Sequence, residues 1–598
     1  MPKKEQLPVW DLSAFYKNVD DPKIKSDAKK NLINSQKFTK RFKNRLAGFD
    51  AKQLLAALQQ LEKIYTLTSK LANFAELTLS VDSQNPKNNV LYQQMMDHAL
   101  AIQSNLIFFD LEIMELPESQ IKKLINSPAL LNYKHHLTDL LHYKPHHLSE
   151  AEEQIFNDKS TTGASAFNRL FDQHFASRKF EVTLGNVTKT MTESEALNLT
   201  MVPNRSTRKA AAEGITKTLN ADAKMLTLIY NTIVKDAAIN TRWHKYKIPE
   251  QPRHMSNEID QKTVDTMTTV IVEGYGIVED FYNFKRRVMK LPKLYIYDRY
   301  APISSSEQNF SFGQAKQIVF DSFEKFSPKF AAAAKEFFDK KWIHAPVSPG
   351  KRGGAYCSYN TNDTHPVVFL NYLGKARDVQ TLAHELGHGI NAYLMRKQTY
   401  LNYGNPLTMA ETASVFGEML VFDDLKEKIK NPKEKFALYV DKIQDIFSTV
   451  FRQTAMYKFE QDFHALQKTK GELTTDEINL LWITRQKEMF GKSLDLTGSE
   501  QWWSYIPHFL HTPFYVYAYS FGELMVLSLY AQYKKNPQGF VPKYLDLMSA
   551  GSIRTPQELL KPFNINLSDR KFWQGGINII KELVTEAKLI YAQTKKRK

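Results

Sequence analysis

Residues 381–393 read TLAHELGHGINAY and contain two histidines four positions apart, with a glutamate directly after the first. A helix advances about 100° per residue, so His384 and His388 would project from the same face. Two neutral imidazoles there can bind one Zn²⁺ at about 2.0–2.1 Å, and Glu385 would lie beside the metal as a base rather than as a ligand. The alternative is a helix whose two histidines form hydrogen bonds and bind no metal.

The flanking residues predict a helix and a strand before it. The apolar run PVVFL at 366–370 is typical of a buried strand, and Val379, Leu382 and Leu386 form an apolar stripe at helical spacing. We expect Asp378 to cap the start of the helix.

A catalytic zinc site needs a third protein ligand. Metzincins place a glycine three positions and a histidine six positions after the second histidine, but this chain has Asn391 and Leu394 there, which excludes that class. A downstream carboxylate is the other option.

The segment TMAETASVFGEML at 408–420 supplies two such carboxylates on one face of a predicted helix, Glu411 and Glu418. Glu411 is the better ligand, because its small neighbours let this helix approach the histidine helix closely. Glu418 would accept an imidazole N–H and fix the tautomer of that histidine, and it is the next candidate for the third ligand.

Length and composition describe a globular protein. A chain of 598 residues with 42% apolar content exceeds one hydrophobic core, so we expect two large lobes. It has no uncharged apolar run of about 18 residues, and the N-terminal lysines are followed by no apolar segment, so we expect a cytoplasmic protein without a membrane partner. The single cysteine, Cys357, excludes intrachain disulfides and is more typical of a strand residue than of a nucleophile.

The formal net charge of +16 raises the alternative of a nucleic-acid partner. Lysines and arginines are, however, interspersed with acids through amphipathic segments, and the dense clusters are only FKRRVMK at 284–290 and the terminal KKRK. Neither cluster lies in a recognisable nucleic-acid-binding module. We therefore expect a solvated basic surface and no nucleic-acid partner.

Most of the chain has helical periodicity. Leu54, Leu58, Leu61 and Tyr65 recur at intervals of four, three and four, which predicts an antiparallel helical bundle over about 51–180. RKFEVTLGNVTKTM at 178–191 alternates around a Gly-Asn turn and predicts a hairpin. We place the domain boundary there, with an N-terminal helical lobe at 1–190 and a catalytic domain at 191–598.

A second short β region precedes the metal helix. The segment GGAYCSYNTNDTHPVVFLNY alternates, and its two glycines, Gly353 and Gly354, remove side chains where another backbone could approach. A peptide could pair with this edge through main-chain hydrogen bonds that do not depend on sequence. We expect Gly353, Gly354, Ala355 and Tyr356 to bind substrate; the alternative is an ordinary glycine turn.

Together these motifs resemble the thimet oligopeptidase superfamily of zinc metallopeptidases, and more narrowly oligoendopeptidase F. The resemblance rests on LAHELGHG followed by MAETASVFGE, with support from VWDLSAFY, KRGGAYCSY at 351–359 and HFLHTPFYVYAYSFG at 508–522. It implies a mainly α fold in which two helical lobes enclose a deep substrate channel, with a small β-sheet beside the zinc-binding helix. It also implies one Zn²⁺ per chain and oligopeptide substrates.

The resemblance also assigns a role to the tract at 508–522. Relatives carry a histidine and tyrosines at this distance after the zinc ligands, which implies that His508 and Tyr519 stabilise the oxyanion, with Tyr517 as the alternate donor. His511 and Tyr515 are weaker candidates. Core packing is the alternative for all five side chains.

The expected reaction is metal-assisted hydrolysis of internal peptide bonds, with Glu385 as the general base. One alternative is a zinc carboxypeptidase that holds the substrate's terminal carboxylate through Arg352 or Arg377. Another is a peptide-binding protein without catalysis, which the presence of Glu385 disfavours. The sequence predicts no oligomeric state.

Overall fold

Helices form most of the chain in the computed structural model, which describes residues 6–303 and 309–596. The predicted mainly α class is therefore confirmed. Residues 1–5 and the last two residues of the KKRK cluster lie outside the described residues. Within the described ranges, no helix is long and apolar enough to cross a membrane.

The chain divides into two units, each assembled from three separate segments. The first unit comprises Met1–Lys144, Gln308–Lys428 and Gln532–Ile565, and the second comprises Pro145–Glu307, Ile429–Ala531 and Asn566–Lys598. The units interleave along the chain, whereas the division at residue 190 follows chain order. That sequence-based division stays a prediction.

The first unit contains thirteen α-helices and three strands among its described residues. Its helices are Pro22–Phe42, Ala51–Val81, Pro86–Leu106, Phe108–Glu115, Glu118–Ile125, Lys134–Tyr143, Phe312–Phe326, Pro328–Asp339, Ala376–Met395, Leu407–Ala410, Ser414–Lys428, Pro537–Ala550 and Pro556–Leu560. Its strands are Ile343–His344, Tyr356–Ser358 and Val367–Phe369.

The second unit contains most of the remaining helices and a hairpin. Its helices are Glu150–Ser160, Ala164–Ser177, Glu193–Leu199, Arg205–Ala221, Ala223–Trp243, Gln251–Ser256, Gln261–Glu273, Tyr275–Val288, Pro432–Phe447, Gln453–Lys470, Thr475–Phe490, His508–His511 and Arg570–Lys596. The helix Tyr517–Lys535 begins in this unit and ends in the first. The strands Phe180–Leu184 and Val187–Met191 pair antiparallel and confirm the predicted hairpin.

The N-terminal bundle follows from the predicted apolar spacing. Asp50 precedes the helix Ala51–Val81 and forms a capping box with Gln53. The Asp50 carboxylate accepts from the backbone N–H of Gln53, and the Gln53 side-chain oxygen accepts from the backbone N–H of Asp50. Leu54, Leu58 and Leu61 are buried on the face that contacts the neighbouring helices. The helical prediction for this segment is confirmed.

A three-stranded sheet lies against the histidine helix. The strand Val367–Phe369 is central, parallel to Ile343–His344 and antiparallel to Tyr356–Ser358. All three of its residues are fully buried, which confirms the strand predicted from PVVFL. The turn after it carries the chain into Ala376–Met395, so the strand and the helix are placed together by a short connection.

Asp378 stabilises the start of the histidine helix from inside its first turn. The N-cap residue is Lys375, and the Asp378 carboxylate accepts from the backbone N–H groups of Lys375 at 3.0 Å and Leu373 at 2.8 Å. The expectation that Asp378 caps the helix is therefore corrected in position: it is the third helical residue, and it accepts from N–H groups that precede the helix.

Candidate active site

His384 and His388 lie one turn apart on the helix Ala376–Met395, within the first unit. Their ring centroids are 4.9 Å apart, and the rings are nearly perpendicular. Both side chains are mostly buried. The two imidazoles thus share one face, as the spacing of four predicts.

Glu411 lies at a break between two helices rather than within one. The predicted continuous helix over 408–420 is wrong: the chain forms Leu407–Ala410, then a turn, then Ser414–Lys428. One carboxylate oxygen, Oε2 of Glu411, lies 3.4 Å from His384 Nε2 and 3.5 Å from His388 Nε2. Ser414 Oγ donates to the same oxygen at 2.6 Å and holds it toward the histidines.

A glycine lets the Glu411 turn approach the histidine helix. A Cβ at Gly387 would lie 2.4 Å from the carbonyl oxygen of Ala413, which is closer than real Cβ contacts come. The small residues that flank Glu411 thus face a position without a side chain. This close approach brings the carboxylate within reach of both imidazoles.

We predict that Gly387→Ala lowers both stability and metal content, because the new methyl group collides with rigid backbone. Overpacking of this kind costs about 1–3 kcal/mol. Thermal unfolding and bound-metal analysis measure the effect. Gly276→Ala is the matched control, since a Cβ on that helical glycine meets no atom within 4 Å. A Gly387→Ala protein with unchanged stability and metal content would contradict the packing argument.

The three donor atoms fit a zinc ion. They lie within 4.8 Å of one another and are the only such group among the described residues. Ligands at about 2.0–2.1 Å from a tetrahedral zinc are about 3.4 Å from each other, which agrees with the two N–O separations. Two imidazoles and one carboxylate are also the donor set of many catalytic zinc sites.

Each histidine has a partner at its other ring nitrogen. His384 Nδ1 lies 2.5 Å from Glu418 Oε1, which is the contact that the sequence-based hypothesis for Glu418 requires. His388 Nδ1 lies 3.4 Å from the hydroxyl of Tyr359. Such partners hold the ring orientation and keep Nε2 available as the donor atom.

The carboxylates determine the charge of this cluster. Burial lowers the pKa of His384, but the hydrogen bond that its ring donates to Glu418 and the charges of Glu418 and Glu411 outweigh it and raise the pKa to about 10. Burial raises the pKa of Glu411, and the opposing attraction of His388 and His384 lowers it below its ordinary value overall. The chain therefore concentrates negative charge where a cation would bind.

Glu385 is buried beside the three donor atoms without belonging to their group. Burial raises its pKa above the ordinary value, and the nearby histidines oppose that rise. A raised pKa brings a carboxylate closer to the range in which it can accept and return a proton near neutral pH.

Of the predicted substrate residues, Tyr356 begins the edge strand of the sheet, and Gly353, Gly354 and Ala355 lie in the turn before it. Tyr356–Ser358 pairs with Val367–Phe369 on one side and, within the described residues, with no strand on the other. Asn371 Nδ2 fixes the preceding turn by donating to the carbonyls of Arg352 at 2.9 Å and Gly354 at 2.8 Å. A Cβ on either glycine of this turn would face open space, but Gly354 has a φ of 82° and would be strained by any side chain.

The predicted oxyanion residues lie in the second unit and contact each other. His508 Nε2 is 3.4 Å from the hydroxyl of Tyr519, and Tyr515 stacks edge-on against Tyr519 with centroids 4.9 Å apart. Burial and the charge of Arg452 lower the pKa of His508, which favours its neutral form. His511 instead contacts Asp172 at 2.9 Å.

Tyr517 faces the core of the second unit. It is fully buried, and its hydroxyl lies 2.8 Å from Asn257 Nδ2 and 2.9 Å from His254 Nδ1. Because this hydroxyl already has two hydrogen-bond partners in the core, it is not available to donate to a substrate oxygen. We therefore do not retain Tyr517 as the alternate donor to an oxyanion.

Sequence reasoning did not single out Tyr359 or Ser414. Tyr359 directly follows the strand Tyr356–Ser358, and the local sequence carries no signal for its contact with His388. Ser414 begins the helix after the break and contacts Glu411, and the local sequence carries no signal for that break.

Comparison with known proteins identifies the class that this fold and site define. Residues 198–579 match the model of the family described as Peptidase family M3, and residues 112–180 match one described as Oligopeptidase F. The first match spans more than half of the chain, which therefore belongs to peptidase family M3 and is a peptidase.

Individual relatives agree with this assignment. The chain is 26% identical over 572 residues to the oligopeptidase PepF of Bacillus subtilis, covering 93% of this chain and 83% of that protein. It is 27% identical over 596 residues to an oligoendopeptidase F homolog of Borreliella burgdorferi, covering 97% of this chain and 98% of that protein. The crystal structure of oligoendopeptidase-F from Enterococcus faecium matches with a TM-score of 0.72 at 18% identity, over 96% of this chain and 98% of that one, and shows the same fold.

Proposed function

We propose that this chain is a zinc-dependent endopeptidase that hydrolyses internal bonds of short, unstructured oligopeptides, with Glu385 as the general base. The observation that carries this proposal is the convergence of Nε2 of His384, Nε2 of His388 and Oε2 of Glu411 within 4.8 Å. The buried carboxylate of Glu385 interacts electrostatically with both of these histidines. Membership of peptidase family M3 supports the same chemistry.

In this proposal, different residues of the first unit transfer the proton and hold the zinc ligands. When bound, zinc would lower the pKa of a water molecule toward about 7 and polarise the substrate carbonyl. Glu385 takes a proton from the attacking water and passes it to the leaving amine. Glu418 and Tyr359 hold the two imidazoles so that both Nε2 atoms remain donors.

The substrate backbone pairs with the open edge of Tyr356–Ser358 in this proposal. Main-chain hydrogen bonds along an edge strand bind an extended peptide whatever its side chains are. This favours broad specificity for unstructured peptides. The enclosing channel implied by the family resemblance stays a prediction, as does a role for His508 and Tyr519 in stabilising the oxyanion.

We expect Gly353→Val to raise KM about tenfold with little change in kcat or zinc content. The valine side chain would occupy the open space beside the strand and cost the peptide one or two backbone hydrogen bonds, each worth about 0.5–1.5 kcal/mol. Gly353 is a cleaner test position than Gly354, because its φ is not positive. Gly48→Val, also in open space, is the control. An unchanged KM would remove this segment from the substrate site.

Tyr519→Phe should lower kcat about 10²–10³-fold and leave KM nearly unchanged, because a hydroxyl that donates to the developing charge acts only in the transition state. Steady-state kinetics on one peptide measure both constants. Tyr515→Phe removes the neighbouring hydroxyl and is the comparison variant. An effect confined to KM, or one seen only with Tyr515→Phe, would contradict the role given to Tyr519.

The proposed function is tested with an internally quenched peptide blocked at both termini. An endopeptidase needs no free terminus and cleaves it, whereas a zinc carboxypeptidase requires a terminal carboxylate and does not. Mass spectrometry of the products then gives the cleaved bond. Cleavage only of the peptide with a free C-terminus would support the carboxypeptidase alternative and overturn the proposal. Arg352, one of the cations considered for that task, lies 3.5 Å from Glu76.

A further inference from the structure

One bulky residue in the second unit, Phe514, adopts a backbone conformation that is energetically unfavourable for its residue type. Phe514 has a φ of 60°, in the left-handed region that favours glycine. It is only 1% exposed, and its ring lies 4.5 Å from that of His464 between centroids. Strained residues of this kind persist where their surroundings hold them, and they cluster at functional sites.

Phe514 lies at the turn between the two candidate oxyanion residues. His508 is in the short helix His508–His511 before the turn, and Tyr519 is in the first turn of Tyr517–Lys535 after it. The backbone N–H of Tyr515 donates to the carbonyl of Thr512 at 3.0 Å and closes the turn. Phe514 therefore lies in the backbone that connects His508 to Tyr519, and His508 Nε2 and the Tyr519 hydroxyl are 3.4 Å apart.

A buried carboxyl group on another helix holds this turn. Glu460, on Gln453–Lys470, is 2% exposed, and its Oε1 accepts the backbone N–H of Phe514 at 2.8 Å. Its other oxygen, Oε2, is buried and has no hydrogen-bond partner among the described residues. Burying a carboxyl group costs folding free energy unless hydrogen bonds satisfy its oxygens. Glu460 has one such bond, to the Phe514 N–H, so its presence in the core indicates a role other than packing.

We propose that Glu460 is a positioning residue for the peptidase reaction, which holds the left-handed turn at Phe514 and thereby keeps His508 and Tyr519 in contact. This inference rests on the oxyanion role that the proposed function gives to Tyr519. Glu460 touches neither residue itself and acts through the backbone.

Two other contacts anchor the same tract but do not replace this one. The Tyr517 hydroxyl is held by His254 and Asn257, and Ser520 Oγ donates to the carbonyl of Val450 at 2.9 Å. Both lie after the turn and fix the helix that carries Tyr519. Glu460 is the contact at the turn itself, where the direction of the chain between His508 and that helix is set.

An amide can replace the carboxyl group of Glu460 and still accept the hydrogen bond from Phe514. Burial raises the pKa of Glu460 well above its ordinary value, and the hydrogen bond from Phe514 opposes that rise only in part. A glutamine presents the same acceptor oxygen to the Phe514 N–H with nearly the same shape. A methionine has a similar length and no comparable acceptor.

The test compares Glu460→Gln with Glu460→Met in the full chain, each alone and with Tyr519→Phe, using a doubly blocked quenched peptide. We expect Glu460→Gln to keep kcat within about threefold of the original, and Glu460→Met to lower it at least tenfold with KM and zinc content unchanged. Tyr519→Phe should then have a much smaller effect on kcat in the Glu460→Met background than alone, because the hydroxyl is already misplaced.

Gln467→Met is the matched control, because Gln467 is a buried polar residue on the same helix that donates to Asn231 instead. Its effect on kcat should multiply with that of Tyr519→Phe. If Glu460→Met folds poorly, Glu460→Asp makes the same comparison, since the shorter side chain withdraws the acceptor from Phe514.

If Tyr519→Phe lowers kcat by the same factor in the original and the Glu460→Met backgrounds, the inference is overturned and the proposed function is unaffected. An original-level kcat in both Glu460→Met and Glu460→Asp would overturn it as well. If Tyr519→Phe alone leaves kcat unchanged, the oxyanion role of Tyr519 fails and this inference fails with it, while cleavage of the blocked peptide still tests the endopeptidase proposal.

Discussion

Glu385→Gln is expected to lower kcat about 10²–10⁴-fold while the protein keeps its zinc, because an amide cannot accept the proton of the attacking water. The side chain is buried beside the three donor atoms but is not one of them, so its replacement removes no metal ligand. Glutamine has nearly the same size, which limits any effect on packing.

The measurement pairs kcat for a doubly blocked peptide with zinc analysis of the same sample. Glu324→Gln, an exposed position on Phe312–Phe326 in the same unit, is the control and should match the original protein. A Glu385→Gln protein that keeps a tenth or more of the original kcat would defeat the base assignment. One that loses zinc instead would make Glu385 part of the metal site.

Glu411→Ala should abolish both stable zinc binding and peptide hydrolysis, because it removes one of the three protein ligands that the described residues offer. The substitution removes Glu411 Oε2, which lies 3.4 Å from His384 Nε2 and 3.5 Å from His388 Nε2, so only the two imidazoles remain as ligands. Zinc content after dialysis and residual kcat are the two measurements.

Glu418→Ala is the informative comparison, since its contact with His384 Nδ1 supports the ligand rather than the metal. Loss of such a supporting contact typically costs 10–100-fold in metal affinity or activity, well short of the loss expected at Glu411. If Glu411→Ala kept full zinc and full activity, and Glu418→Ala lost both, the third ligand would be Glu418.

The histidine helix and its strand could be predicted because their signals are local. Helical spacing places His384 and His388 on one face, and a short apolar run is typical of a buried strand. Both predictions depend on neighbours within a few positions, and the structure contains both elements. The helical periodicity around Leu54 and Leu58 succeeded for the same reason.

The break at Glu411 could not be predicted from the local sequence. The segment 408–420 has no proline and only one glycine, so its own preferences favour one continuous helix. The structure instead has a turn there, and the Ala413 carbonyl in it lies close to Gly387, a residue more than twenty positions away in sequence. Such contacts routinely override local helix propensity.

The choice between Tyr517 and Tyr519 was limited by helix phase. Three tyrosines at alternate positions do not show where the helix begins, and a helix that starts at Tyr517 turns alternate residues toward different sides. The structure places Tyr517 in the core and Tyr519 in contact with His508. The contact between Tyr359 and His388 was missed because the two residues are 29 positions apart in sequence.

Zinc titration of the metal-free protein tests the central claim most directly. The protein is dialysed against a chelator, zinc is returned in known amounts, and hydrolysis of a doubly blocked quenched peptide is followed at each step. A site made by His384, His388 and Glu411 predicts no hydrolysis without zinc and a linear recovery that ends at one zinc per chain. Full hydrolysis by protein that holds less than a tenth of an equivalent of metal would contradict it.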